Sequence, residues 1–233
     1  MPRLLTLLCA AACALPLAAC GDDKGSDVGK AAATPEATQT ATATATPAAA
    51  ECQKVKAPKP KPEGKLAKPK LKLDGAKTYV ATVATSCGDF EITLDAKRAP
   101  KTGGSFVSLA RRKFFDKTTF HRIVPGFVIQ GGDPQGTGMG GPGYSVEETP
   151  PSDLAYEKGV VAMAKTGAEP PGTSGSQFFV VTGDSTPLPP EYALLGKVTK
   201  GQEVVDLIGA VQTTPDERPV DPVVIESVTI RES

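Results

Sequence analysis

Histidine occurs once and tryptophan not at all in 233 residues, and aromatic side chains make up only 5% of the chain. A single imidazole excludes an HExxH zinc site and any His-rich metal cluster, and it leaves room for at most one histidine-based triad. Neither sign of charge is in excess: 26 basic residues balance 26 acidic ones. Nucleic-acid binders usually carry a basic surplus, so this balance speaks against one. The neutral total is nevertheless a sum of unlike parts. Residues 52–77 carry nine Lys against Glu63 and Asp74, a net of +7, whereas residues 78–233 carry 14 basic and 19 acidic side chains, a net of −5. The chain therefore falls into three segments of different character, 1–19, 20–77 and 78–233.

The first segment reads MPRLLTLLCAAACALPLAA, one Arg followed by an apolar run that ends in small residues. As a helix of about 16 residues the run would reach only about 24 Å, short of a hydrocarbon core of roughly 30 Å, so it reads as the h-region of a signal peptide. Leu17-Ala18-Ala19-Cys20 resembles the bacterial lipobox, which implies lipidation of Cys20 and removal of the residues before it. The alternative is an ordinary small-residue cleavage site followed by a free thiol. With two acyl chains the anchor would be stable, and the expectation is an exported domain tethered to the cell membrane on its extracytoplasmic side. Cys9 and Cys13 would leave with the signal, and Cys52 and Cys87 would remain in an oxidising compartment. They are either paired or two free thiols; a pairing would contribute about 3–4 kcal/mol in the chain-entropy model.

Residues 31–50 are almost wholly Ala, Thr and Pro and are expected to be disordered. From Cys52 to about Lys72 the chain turns Lys/Pro-rich, a composition that favours extended polyproline backbone and reads as a solvated spacer; binding to anionic lipid or wall polymer is the alternative.

From Thr78 the pattern is that of a folded β domain. Phe90, Ile92 and Leu94 alternate with Glu91 and Thr93 behind a hairpin turn at Ser86–Asp89. Pro100 opens a helix with Phe106, Leu109 and Ala110 at helical spacing, and a second helix over about 201–210 places Val204, Val205 and Ile208 on one face. Further strands are expected at 118–124, 127–131, 160–164, 177–182, 194–198 and 223–230. Many short strands with two helices indicate a mainly β fold, a closed antiparallel barrel capped by helices.

Three separated motifs are specific: Phe120-His121-Arg122-Ile123-Val124-Pro125-Gly126-Phe127-Val128-Ile129-Gln130-Gly131-Gly132-Asp133, then Gly175-Ser176-Gln177-Phe178-Phe179, then Leu195-Gly196-Lys197-Val198. Together they resemble the cyclophilin family of peptidyl-prolyl cis/trans isomerases over nearly all of residues 78–232. The resemblance implies an eight-stranded barrel, a monomer, no cofactor or metal, and proline-containing unfolded polypeptides as partners. It also implies that Arg122, Phe127 and Gln130 are catalytic. Val128, Phe179, Leu188 and Tyr192 would complete a proline pocket, with Ala164, Lys165 and Gln177 beside the preceding residues of the substrate. A proline-peptide binding module or holdase with little turnover is the alternative function.

Several positions depart from the family pattern or invite other readings. Val128 stands where many members have Met, Tyr192 where many have His, and Pro187 near a common Trp, which puts tight cyclosporin binding in doubt. His121 is expected to be structural, its side chain on the opposite face from Arg122. Gly136–Gly141 matches GxGxxG, but Pro142-Gly143 follows instead of a helix, so it reads as a loop beside the pocket. Ala168–Gly172 reads as a lengthened loop and Arg111-Arg112-Lys113 as a solvated helix end.

Overall fold

The structure, a computed structural model, describes residues 51–233. The expected signal peptide, Cys20 and the Ala/Thr/Pro run of 31–50 lie outside the described residues. The elements are β1 (Tyr79–Thr85), β2 (Gly88–Leu94), α1 (Pro100–Arg111), β3 (Thr118–Val124), β4 (Val128–Asp133), β5 (Val146–Glu147), β6 (Tyr156–Glu157), β7 (Val160–Met163), β8 (Thr173–Ser174), β9 (Phe178–Val181), β10 (Ser185–Thr186), β11 (Leu194–Lys200), α2 (Gln202–Gly209) and β12 (Val224–Glu232). Eight of them close into an antiparallel barrel in the order β1-β12-β3-β4-β9-β7-β11-β2, so no barrel edge is left unpaired. The four two-residue strands form two small ladders outside it, β5 with β8 and β6 with β10.

Period-two alternation decides what fills the barrel and what faces out. Phe178 on β9 and Ile129 on β4 join the interior cluster with Phe90, Phe106, Phe115 and Phe120, whereas their neighbours Phe179 and Val128 belong to a second apolar cluster on the outer side. Phe178 meets Phe106 and Phe115 edge-on, at centroid separations of 5.7 and 5.9 Å. Each fully buried ring contributes on the order of 2–3 kcal/mol through area removed from water. α1 adds Phe106, Val107, Leu109 and Ala110 to this core, and α2 adds Val205 and Ile208, with Val204 only partly buried.

α1 begins at a Pro in its first turn, where the missing N–H costs nothing, but its N-cap is Ala99, which has no side-chain acceptor. The carboxylate of Glu148, 46 residues further on, takes that place: it accepts hydrogen bonds from the backbone N–H of Lys101 (3.0 Å) and Thr102 (2.8 Å).

The Lys/Pro segment is not the solvated spacer that its composition suggests. Over residues 51–77 it is a strap laid against the domain, and the structure joins Cys52 to Cys87 in the β1–β2 turn by a disulfide. Backbone N–H groups of the strap donate at intervals to carbonyls of the barrel domain: Gln53 to Ser86 (2.8 Å), and Lys61 to Pro134, Gly64 to Gly141, Leu66 to Pro142 and Leu73 to Pro100, each at 2.9 Å. Residues 52, 55, 58, 61 and 64 are half-buried while those between them are exposed. That spacing of three is the repeat of a polyproline helix, so one edge packs down and the lysines of the other two face solvent. Proline fixes φ in advance, which lowers the entropy cost of ordering such a segment. Leu73, only 5% exposed, pins the end nearest β1.

Candidate active site

β3, β4 and β9 run side by side and bring the motif residues together. Arg122 pairs with Gln130 across β3 and β4, and Gln130 pairs with Phe179 across β4 and β9. Side chains at paired positions share a face, so these three project to one side. A cavity of about 140 Å³ opens there, lined by Arg122, Phe127, Val128, Gln130, Ala164, Lys165, Phe179, Leu188 and Tyr192. Nine of the ten expected site residues thus surround one opening. Gln177 is the exception; it lines an adjoining cleft of about 520 Å³ that shares Gln130, Ala164 and Lys165 with the pocket.

The floor is dry and rigid. Val128 and Phe179 are 2% and 4% exposed. The Phe179 and Tyr192 rings meet edge-on at 5.4 Å, and Tyr156 lies behind both, at 6.2 and 6.0 Å. The Tyr156 hydroxyl donates to the carbonyl of Tyr192 (2.9 Å) and accepts from its N–H (3.0 Å), which fixes the loop that carries the pocket wall. Burial raises the Tyr156 pKa to about 12, so the phenol stays neutral and able to donate. Pro187 is exposed and is not part of the lining.

The polar side is a chain of hydrogen bonds. Glu217 accepts from Arg122 Nε at 2.5 Å, and Gln130 Oε1 lies 3.5 Å from Arg122 Nη1. Gln130 Nε2 donates to Gln177 Oε1 (3.0 Å), and Gln177 Nε2 donates to the carbonyls of Gly138 and Gly140 (both 2.9 Å). The glycine-rich loop 134–143 is held from below by Asp133, whose carboxylate accepts from the N–H groups of Gln135, Thr137, Gly138 and Gly140. Burial alone would raise the Asp133 pKa, but these backbone donors outweigh it and hold the pKa below the ordinary value. The loop is therefore a carboxylate-anchored wall of the site and not a phosphate cradle.

His121 is buried and, unlike Arg122, does not line the pocket. The β3–β4 register slips between Phe120 and Arg122, so strict alternation is interrupted and both Phe120 and His121 are buried. The imidazole packs under Gly138, and burial lowers its pKa. Glu217 and Tyr156 carry no signal in the sequence. Each acts at a distance of 36 residues or more in sequence, and neither has a local pattern that marks it.

Among the described residues no group of three His, Cys, Asp or Glu side chains is placed to hold a metal ion. A family model described as "Cyclophilin type peptidyl-prolyl cis-trans isomerase/CLD" matches residues 80–230. Peptidyl-prolyl cis-trans isomerase A of Mycobacterium tuberculosis is 42% identical over 171 residues, 66% of this chain and 92% of that protein. Peptidyl-prolyl cis-trans isomerase B of Streptomyces anulatus is 40% identical over 174 residues, 66% of this chain and 98% of its own. The crystal structure of a cyclophilin-type isomerase from Cryptosporidium parvum superposes with a TM-score of 0.63 at 32% identity, over 66% of this chain and 98% of that one. A second structure of that protein, in the presence of the dipeptide Ala-Pro, gives 0.61 at 31% identity, over 65% and 98%.

Proposed function

Because the chain belongs to the cyclophilin-type peptidyl-prolyl cis/trans isomerases, whose activity is rotation about X-Pro bonds, we propose that Arg122 is the group that drives that rotation here. The observation that carries the reading is a charged donor fixed at the rim of a dry pocket the size of a small ring. Rotation is opposed by a barrier of roughly 20 kcal/mol, which arises from the partial double bond between carbonyl carbon and prolyl nitrogen. As the amide twists, the nitrogen lone pair leaves conjugation and becomes a hydrogen-bond acceptor. A donor aimed at that nitrogen binds the twisted state and ignores the planar one, which is differential transition-state stabilisation.

Arg122 suits the task because it stays charged and rigid. Its Nε is engaged by Glu217 and its Nη1 faces Gln130, so the remaining guanidinium N–H groups are the donors left for substrate. Phe127, Val128, Phe179, Leu188 and Tyr192 would hold the pyrrolidine ring by apolar contact, and Gln130 would bond the substrate backbone. No bond breaks and no proton moves, so the chemistry asks for neither nucleophile nor cofactor.

The sequence before the strap supports a place for this activity. The signal-like 1–19 and the lipobox-like Leu17–Cys20 favour a lipid-anchored, monomeric enzyme that assists folding of exported proteins at the cell envelope. Membrane fractionation of Cys20→Ser tests the anchor: release is expected, and continued membrane association would refute it. Exchange NMR on an X-Pro peptide tests the activity. Wild type should accelerate cis/trans exchange and Arg122→Ala should lose about 10²–10³-fold in kcat/KM. Equal rates would overturn the role of Arg122, and binding without acceleration would describe a peptide-binding module instead.

A further inference from the structure

The strap does more than cover the barrel: its Glu63 lines the 520 Å³ cleft that continues from the proline pocket. Ala164, Lys165 and Glu169 line the same cleft. Position is fixed on both sides of Glu63. Lys61 donates through its backbone to Pro134 and through Nζ to the Phe114 carbonyl (2.9 Å), and Gly64 donates to Gly141. The fit at Gly64 is close enough that a Cβ there would lie 2.7 Å from Pro142 Cα. Through Gly140, Gln177 and Gln130, the loop that receives the strap is bonded onward to Arg122.

The charges of the cleft do not cancel. Lys165 is its only basic lining residue, but that ammonium is already committed: its side chain is 5% exposed, its Nζ lies 3.4 Å from the Glu191 carboxylate, and it sits 5.5 Å over the Tyr192 ring. The Glu169 carboxylate accepts from the Thr166 N–H. Glu63, exposed at the lip, has no ion-pair partner among the described residues. The family resemblance implies that, with proline in the pocket, the preceding residues of the substrate lie beside Ala164, Lys165 and Gln177; they would then run into this cleft, at about 3.3–3.6 Å per residue.

We infer that the strap is a wall of the substrate site, and that Glu63 gives the enzyme a preference for peptides with a basic side chain two or three residues before the proline. The inference rests on the proposed orientation of substrate in the pocket. Exposed ion pairs contribute up to about 1 kcal/mol, so the preference should be modest, about threefold to fivefold, and should shrink in high salt.

The test uses the purified full chain and three sets of X-Pro peptides that differ only in carrying Lys, Ala or Glu at those upstream positions, with kcat/KM read by exchange NMR. Wild type should rank Lys above Ala above Glu, and Glu63→Lys should reverse the order. Gly64→Ala, which pushes the strap off its loop, should flatten it. Equal treatment of the three peptides by wild type, or an order unchanged in Glu63→Lys, overturns the inference while leaving the isomerase reading intact. No acceleration of any peptide by wild type overturns the isomerase reading itself, and this inference with it.

Discussion

Arg122 on β3 is gripped by Glu217, a residue 95 positions later whose own backbone lies in the left-handed region at φ 61°. Both side chains are more than a third exposed, so the pair adds little to stability, and its value is directional. Glu217→Ala should lower kcat about threefold to tenfold with KM nearly unchanged, because it frees the guanidinium to leave the twisted amide, in keeping with the sensitivity of catalysis to small misplacements. Glu217→Gln, which still accepts from Nε, should restore most of the loss. Steady-state kinetics on one peptide checks both; a KM effect without a kcat effect would place Glu217 in binding.

Tyr156 is predicted to hold the pocket wall through its hydroxyl. Tyr156→Phe leaves the Tyr192 N–H and carbonyl without their partner and should cost about 1–3 kcal/mol of stability. Peptide affinity should fall with it, since Tyr192 lines the pocket. Denaturant melts and peptide titration measure the two effects, and an unchanged melt would refute the buttressing role.

Acid should destabilise the domain in two separate windows. His121 has a lowered pKa in the folded state, so below its unfolded value of about 6.5 the unfolded chain binds more protons and stability falls with pH. Asp133 is lowered as well, but as an acid its contribution is complete above about 3.9 and fades only as pH drops through the folded value. Thermal melts from pH 7.5 to 3 should therefore show a first decline beginning near pH 6.5 that His121→Gln abolishes. A first decline that persists in that variant would assign it to other groups.

Gly104→Ala reverses the usual helix rule. In an exposed helix interior the change favours folding by about 1 kcal/mol. Here the new Cβ would fall on the carbonyl oxygen of Leu71 in the strap, so the variant should instead lose about 1–3 kcal/mol. Hydrogen exchange at Leu73, whose N–H is bonded to Pro100, should rise in the same variant.

Reduction of the Cys52–Cys87 disulfide should weaken the strap before the barrel. The bond encloses 35 residues and contributes about 3–4 kcal/mol in the chain-entropy model. Cys87→Ser should lower the melting temperature and raise exchange at Gln53 first. Unaltered exchange there would mean that backbone bonds alone hold the strap.

The strands were legible where apolar periodicity is sustained: 118–124 agrees with β3 residue for residue, and 223–230 falls one residue early at its start and two short at its end. The two-residue strands carry no period and could not be read. The pocket was legible because Arg122, Phe127, Val128, Gln130 and Phe179 sit in contiguous motifs, and adjacent paired strands convert sequence neighbours into spatial ones. Glu217, Tyr156 and Glu148 reach their partners across 36 to 95 residues, so their roles exist only after folding. The strap misled for another reason. A three-residue repeat of half-buried positions in a Lys/Pro sequence is identical, on paper, to a polyproline spacer touching nothing.

The barrel closes by pairing its first strand with its last, and Thr78 and Ser233 exchange two backbone hydrogen bonds at the seam. A ribosome releases the chain from the other direction, N-terminus first. β1 thus waits, half-paired with β2 alone, until residues 224–232 have emerged, and nothing shorter can seal the cylinder. Chains stalled before Val224 would present β1 as an open edge, a template for pairing with other chains until synthesis is complete.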